Sequence, residues 1–231
     1  MSRQRLFRIP VALLLGLALA SCQQTGKQSV GLQQADSLVG CIEAVHVETD
    51  LAQSRMREAL DALRVVTTPG LEGDVLSAYT EFVEAIERSE QQAVALRAAV
   101  EPMKATAGPF FGQWKEDLDA FTSSAMRQRS QTRLLATRAR YDAVVAAVEP
   151  SVAGYDTLNL TLRDHALFLG RDLNASSLAE IEADVRVLQR EADALDESLD
   201  ATLVATREYV GSSALPERAG APSAADGAPG K

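Results

Sequence analysis

Very little in this sequence can do chemistry. Its soft ligands and nucleophiles come down to two histidines, His46 and His165, and two cysteines, Cys22 and Cys41. Neither histidine has a cysteine or a second histidine at metal-ligand spacing, so no metal site is expected. A nucleophile elbow, a P-loop and a dinucleotide-binding glycine pattern are all missing, so no cofactor is expected either. Carboxylate pairs such as Glu116 and Asp119 occur, but acids are spread along every expected helix as a solvated face. The expectation is a protein that is not an enzyme. Basic surplus is lacking as well: the formal charge is −9, which argues against nucleic acid as a partner. Aromatics make up 5% of residues and alanine is abundant, a composition suited to close-packed helices rather than sheets.

Long apolar runs are also scarce. The only one is Ile9 to Ala20, broken by Pro10 and Gly16 and preceded by Arg3, Arg5 and Arg8. It falls short of the roughly 20 residues that cross a bilayer, and a basic start with small residues at the end reads as a secretory signal over residues 1–21. Leu19-Ala20-Ser21-Cys22 resembles a bacterial lipobox, which implies diacylglycerol on the Cys22 sulfur and cleavage before it. An ordinary cleaved signal with an incidental cysteine is the competing reading. Gln23, where aspartate would favour the inner membrane, points the resemblance to the outer membrane, with the body in the periplasm. Removing the signal takes away three arginines and no acid, moving the formal charge from −9 to −12. With Cys22 lipidated, Cys41 has no partner within the chain and is expected to be buried and inert, the alternative being an intermolecular bridge.

What the sequence does contain is a heptad register. Residues 22–34 read as a polar, lipid-anchored tether and 212–231 as a disordered Ala/Pro/Gly-rich tail. Between them, apolar residues recur at alternating steps of three and four. A first segment runs from Ala35 through Leu38, Ile42, Val45, Thr49 and Ala52 to Val66, and "TTPGLEGD" breaks it. A second runs from Val75 through Phe82, Ser89 and Leu96 to Phe110, Trp114 and Phe121. Leu134, Tyr141, Val148, Tyr155, Leu162 and Leu169 carry the third, in which His165 reads as a hydrogen-bonded core or rim side chain. The fourth holds Leu178, Ile181, Val185, Leu188, Ala192, Leu195 and Leu199, opened by a capping-box pattern at Ser177 and Glu180. Asn174, in the sequon-like "NAS", reads as a helix-ending residue.

The expected fold is all-α: an elongated antiparallel coiled-coil or four-helix bundle over 35–211, held together through apolar seams. Helices of about 35, 48, 48 and 35 residues would reach roughly 50–70 Å. Short connections place the start of the first helix, the end of the second, the start of the third and the end of the fourth at one pole. There the turn near "FTSSAM" is expected to project past the start of the first helix. Pro102, Pro109 and Pro150 are expected to kink or briefly break their helices, above all at "ATAGPFFGQ", 105–113.

Two stretches, "PFFGQWKEDLDAFTSSAMRQRSQTRLLATRARYDAV" and "LRDHALFLGRDLNASSLAEIEADV", resemble the bacterial domain of unknown function 2959 family. The similarity spans roughly residues 36–211 and is strongest at Trp114, the arginine-rich start of the third helix, and Leu173-Asn174-Ala175. In the first helix "HVETDLAQ", His46–Gln53, stands in place of a basic stretch found in the family. The resemblance implies a helical fold and secreted or lipid-anchored envelope proteins; it brings no catalytic residues.

One pole stands out. Phe110, Phe111 and Trp114 close the second helix, and Arg127, Arg129, Arg133, Arg138 and Arg140 open the third. Guanidinium forks suit phosphate and carboxylate, so this pole is a candidate contact for lipid phosphate, peptidoglycan or an acidic envelope protein. The bland alternative is that Glu116, Asp117 and Asp119 pair with these arginines across the hairpin while the aromatics fill the core. The expected function is a lipid-anchored periplasmic spacer, scaffold or adaptor, touching the membrane through its lipid and an envelope protein, peptidoglycan or itself. The alternative is a binding module that opens near 105–113 to take up an apolar or lipidic ligand.

Overall fold

A computed structural model describes residues 22–68 and 74–213, with side chains from Val30 onward in the first helix. The expected signal segment 1–21, the break at 69–73, the tail from 214 and the Cys22 side chain lie outside the described residues. Four helices carry the rest: α1 (Cys22–Val66), α2 (Val75–Asp117), α3 (Ser124–Leu169) and α4 (Ala175–Ser213), with a 3-10 turn at Leu118–Ala120. No strand occurs among the described residues. Each helix packs antiparallel on two neighbours, α1 on α2 and α4, α3 on α2 and α4, so the chain closes a square up-down-up-down bundle.

The heptad positions form the core, as their spacing requires. Leu38, Ile42, Val45, Ala52, Met56, Ala59, Leu63 and Val66 of α1 are all buried, and so are Phe82, Leu96 and Met103 of α2, Tyr155 and Leu162 of α3, and Leu188 and Leu199 of α4. Burying each large side chain contributes about 1.5–3 kcal/mol, so the seams dominate the stability of the rod. The core comes in two pieces. One joins Ala52–Val66 to Phe82–Leu96, Tyr155–Leu169 and Ile181–Leu199, away from Cys22. The other joins Leu38–Val45 to Val100–Phe111, Tyr141–Val148 and Tyr209.

Three features differ from the sequence reading. The first is that α1 starts at Cys22, so residues 22–34, expected as a tether, continue the helix. No proline interrupts them, and the packed helix from Leu38 onward supplies the costly nucleus. A second is that α2 runs through Pro102 and Pro109 without a break at 105–113. An interior proline costs about 3 kcal/mol, but Phe110 and Phe111 are both buried, and each offsets about 1.5–3 kcal/mol. The third concerns the start of α4, which begins at Ala175, with Asn174 as its cap rather than Ser177. The Asn174 Oδ1 accepts from the Ser176 N–H at 2.8 Å and the Ser177 N–H at 3.1 Å. The Ser177 hydroxyl in turn accepts from the Asn174 N–H at 3.0 Å. This is a reciprocal capping box displaced three residues toward the N-terminus.

Cross-helix pairs fix the register of the poles. His46 bonds Thr206, Gln53 bonds Asp200 and Arg57 bonds Asp196. Carrying that antiparallel pairing onward puts Ser213, the end of α4, beside Val39. Ser151 bonds Thr202, which likewise puts Ser213 beside Arg140. The Cys41 sulfur lies 3.9 Å from the Thr106 hydroxyl, which carries Val30 to the level of Asp117. The α2–α3 hairpin therefore does not project past α1, as expected from the sequence. It projects past α4, and α1 accompanies it.

Candidate functional site

At the hairpin pole, α2 delivers Phe110, Phe111 and Trp114 to the seam and α3 delivers its arginines to the flanks. Ser123 caps α3, its hydroxyl accepting from the Met126 N–H at 3.4 Å, which starts the helix directly after the turn. The Trp114 indole N–H donates across the hairpin to the Ser130 hydroxyl at 3.0 Å. Phe110 stacks on Phe111 and Trp114 with centroids 4.9 and 5.5 Å away, and Phe111 meets Tyr141 at 5.5 Å. Phe110 and Phe111 belong to the buried cluster and Trp114 packs against it, half-buried. These aromatics are packed against one another and do not line an opening. A shallow cleft of about 240 Å³ lies elsewhere, between α1 and α4, floored by Met56, Leu60 and Ala192 and rimmed by the Arg57–Asp196 pair.

The five arginines divide into two groups. Arg138 donates to Asp142 at 2.9 Å, one turn along its own helix, and sits over the Phe111 ring at 5.0 Å. Arg127 approaches Asp119 at 3.8 Å, and that carboxylate is 88% exposed, so water screens the pair to about 0–1 kcal/mol. Arg129, Arg133 and Arg140 meet no carboxylate among the described residues. Arg129 reaches only the Met126 sulfur at 4.0 Å, and Arg140 reaches the Thr137 hydroxyl at 3.3 Å. The Arg140 Nε is buried and bonds to nothing. Asp117 is turned to Gln113, whose amide it accepts at 2.9 Å. Pairing across the hairpin thus accounts for one arginine of the five. Farther along the rod, α2 and α3 do pair across their flanks, Lys104 with Glu149 at 2.7 Å and Arg97 with Asp156.

The seams also contain polar groups that a purely apolar reading passes over. Ser89, on a heptad position of α2, bonds the Tyr155 hydroxyl at 2.8 Å and donates to the Asn159 Oδ1 at 2.6 Å, all three buried. Between the two apolar clusters lies a hydroxyl layer. Ser151 bonds Thr202 at 3.0 Å and Ser198 at 2.8 Å, and Thr206 bonds the His46 Nδ1 at 2.8 Å. Thr202 and Thr206 continue the α4 steps of three and four beyond Leu199, and that spacing was the one signal of their burial. Burial pushes the phenol groups of Tyr155 and Tyr209 up to about 12, because ionising them there would strand a charge away from water.

The remaining candidates resolve simply. Cys41 is a free, half-buried thiol facing α2, less enclosed than expected. His165 is buried on its heptad position, and its Nδ1–H donates to the Thr161 carbonyl at 2.7 Å. Its Nε2 is buried without a partner. No group of three or more His, Cys, Asp or Glu able to hold a metal occurs among the described residues. No described helix is long and apolar enough to cross a membrane.

A family model described as a protein of unknown function, DUF2959, matches residues 24–212. That span coincides almost end to end with the four helices. The chain belongs to the DUF2959 family. The match takes in all of α1 but its first two residues, including "HVETDLAQ" and residues 24–34 of the expected tether. The matched span thus takes in the bundle from α1 to α4. No curated protein and no solved structure matches the chain.

Proposed function

We propose that this DUF2959 protein is a lipid-anchored helical spacer and adaptor of the bacterial envelope. Cys22 carries the lipid, the outer membrane holds it, and the rod stands in the periplasm with its hairpin pole against an anionic partner. The observation that carries this reading is the set of three arginines, Arg129, Arg133 and Arg140, with no carboxylate beside them among the described residues of an acidic chain. Arg129 and Arg133 lie toward the pole where α1 begins, with Arg140 deeper, beside Val39, so a lipid on Cys22 would bring the first two nearest the membrane. The protein acts by holding and joining, without catalysis or cofactor.

Two experiments test this. Replacing Cys22 with alanine should release the protein from the membrane fraction, and an unchanged distribution would end the anchoring half. Photocrosslinkers placed in turn near Arg127 and mid-rod near Arg190 should give specific envelope adducts from the first position. Charge reversal at Arg127, Arg129 and Arg133 should abolish them. Equal adducts from both positions, or indifference to the reversal, would reduce the arginines to surface charge.

A further inference from the structure

We propose that the hairpin pole, where α1 and α3 run on beyond the last described residue of α4, accepts an acidic amphipathic helix from a partner protein in α4's place. The inference rests on the pole being the binding end and names what binds there. Along most of the rod, α4 lies in the groove between α1 and α3. Its last described residue, Ser213, falls beside Val39 and Arg140 in the register set by the His46–Thr206 and Ser151–Thr202 pairs. Beyond that level α1 and α3 run on toward Cys22 and Ser124, and the sequence after Ser213 carries no heptad pattern to follow them.

The two helices keep the side chains that face α4 lower down. On α1, His46 and Gln53 bond α4, and the same seven-residue step leads to Val39 and Leu32. Val39 packs at the edge of the core, while Leu32 is 70% exposed. On α3, Gly154 lies against Leu195 of α4, and the same step leads through Ala147 to Arg140, Arg133 and Met126. Met126 is 47% exposed. The continuing groove is therefore apolar along α1 and basic along α3, with the orphaned Arg140 Nε beside the last described residue of α4.

Charge identifies the occupant. Between Ser124 and Tyr141 there are five arginines and no acid. Lower down, α4 meets its neighbours with carboxylates, Asp196 on Arg57 and Asp200 on Gln53. A helix continuing α4's place needs apolar residues at its a and d positions, to cover Leu32, Val39 and Met126. It needs Glu or Asp on the flank that faces Arg133 and Arg140.

The test uses the mature chain and a synthetic helical peptide about three heptads long, with Leu at a and d and Glu at e and g, beside a version with Lys for Glu. Trp114, the only tryptophan, reports on the seam beneath the groove. The Glu peptide should bind saturably and shift Trp114 emission, and the Lys peptide should not. Arg133→Glu and Leu32→Asp, both at exposed positions, should each weaken binding at least tenfold while leaving helicity and melting unchanged. Glu-peptide binding that neither variant weakens would overturn the proposal. Vesicles of phosphatidylglycerol bound through the same arginines, with no peptide binding, would overturn it while keeping the pole as the binding end. Binding of neither would overturn both readings.

Discussion

At Gly170 the fold leaves no room for a methyl group. The residue closes α3 in ordinary right-handed conformation, so conformational freedom is not why glycine stands there. A Cβ would lie 2.3 Å from the Tyr79 hydroxyl, which donates to the Ala166 carbonyl at 2.9 Å. Gly170→Ala should therefore break that bond and cost about 1 kcal/mol, read as a lower urea midpoint. Tyr79→Phe should recover part of the loss in the double variant, because the clashing oxygen is gone. Ser89 is the second sensitive residue. Ser89→Ala strands the Tyr155 hydroxyl and the Asn159 amide oxygen in the core, at a cost of about 1–3 kcal/mol. Neither effect is legible in the sequence, where Ser89 shows only as one step of the second segment's heptad spacing. Both depend on which side chain arrives from another helix.

At the scale of the element, the start of α4 separates two cap assignments. The sequence pattern favours Ser177 with Glu180, and the structure uses Asn174 with Ser177. Asn174→Ala should destabilise by about 1 kcal/mol and Glu180→Ala should be nearly silent, as thermal melts of the two variants would show. The pattern misleads because Ser177 carries the hydroxyl a cap requires and precedes the apolar run. Ser177 is nevertheless buried, already inside the first turn. α2 makes the converse point. Its proline and two glycines at 105–113 predict a break by local propensity, yet Met103, Ala107, Phe110 and Phe111 are buried in the second cluster. Packing outweighs the lost backbone bond. Phe111→Ala should remove about 3–5 kcal/mol and let the end of α2 fray, seen as faster amide exchange beyond Pro109 than before it.

For the whole molecule, the two buried tyrosines set an alkaline limit. The unfolded phenol ionises near 10, while Tyr155 and Tyr209 are held up to about 12 in the fold. A group whose pKa is raised by folding stabilises fully below its unfolded value, and that contribution is lost as pH rises through the folded one. Stability should therefore be flat with respect to these two groups up to about pH 10 and fall between about 10 and 12. Two of the four tyrosines should titrate in ultraviolet absorbance only as the helix signal is lost. Tyr155→Phe should make the fall shallower. Early titration of all four, ahead of unfolding, would contradict the burial. Salt should matter far less, because the cross-helix ion pairs, such as Arg57–Asp196, lie at the exposed flanks of the seams.

The sequence by itself determined the number of helices, their antiparallel order and nearly every core position. A heptad seam is a local, repeating signal, and each apolar residue reports its own burial. It also placed the aromatic and arginine clusters at one pole, since short connections between long helices leave only one arrangement. The tertiary structure decided what depends on a residue's neighbours rather than on its own type. It brought buried hydroxyls into pairs across the seam, and among the described residues it left Arg129, Arg133 and Arg140 without carboxylates. Charge pairing and register are relations between helices, and a one-dimensional pattern records only each helix's side of them.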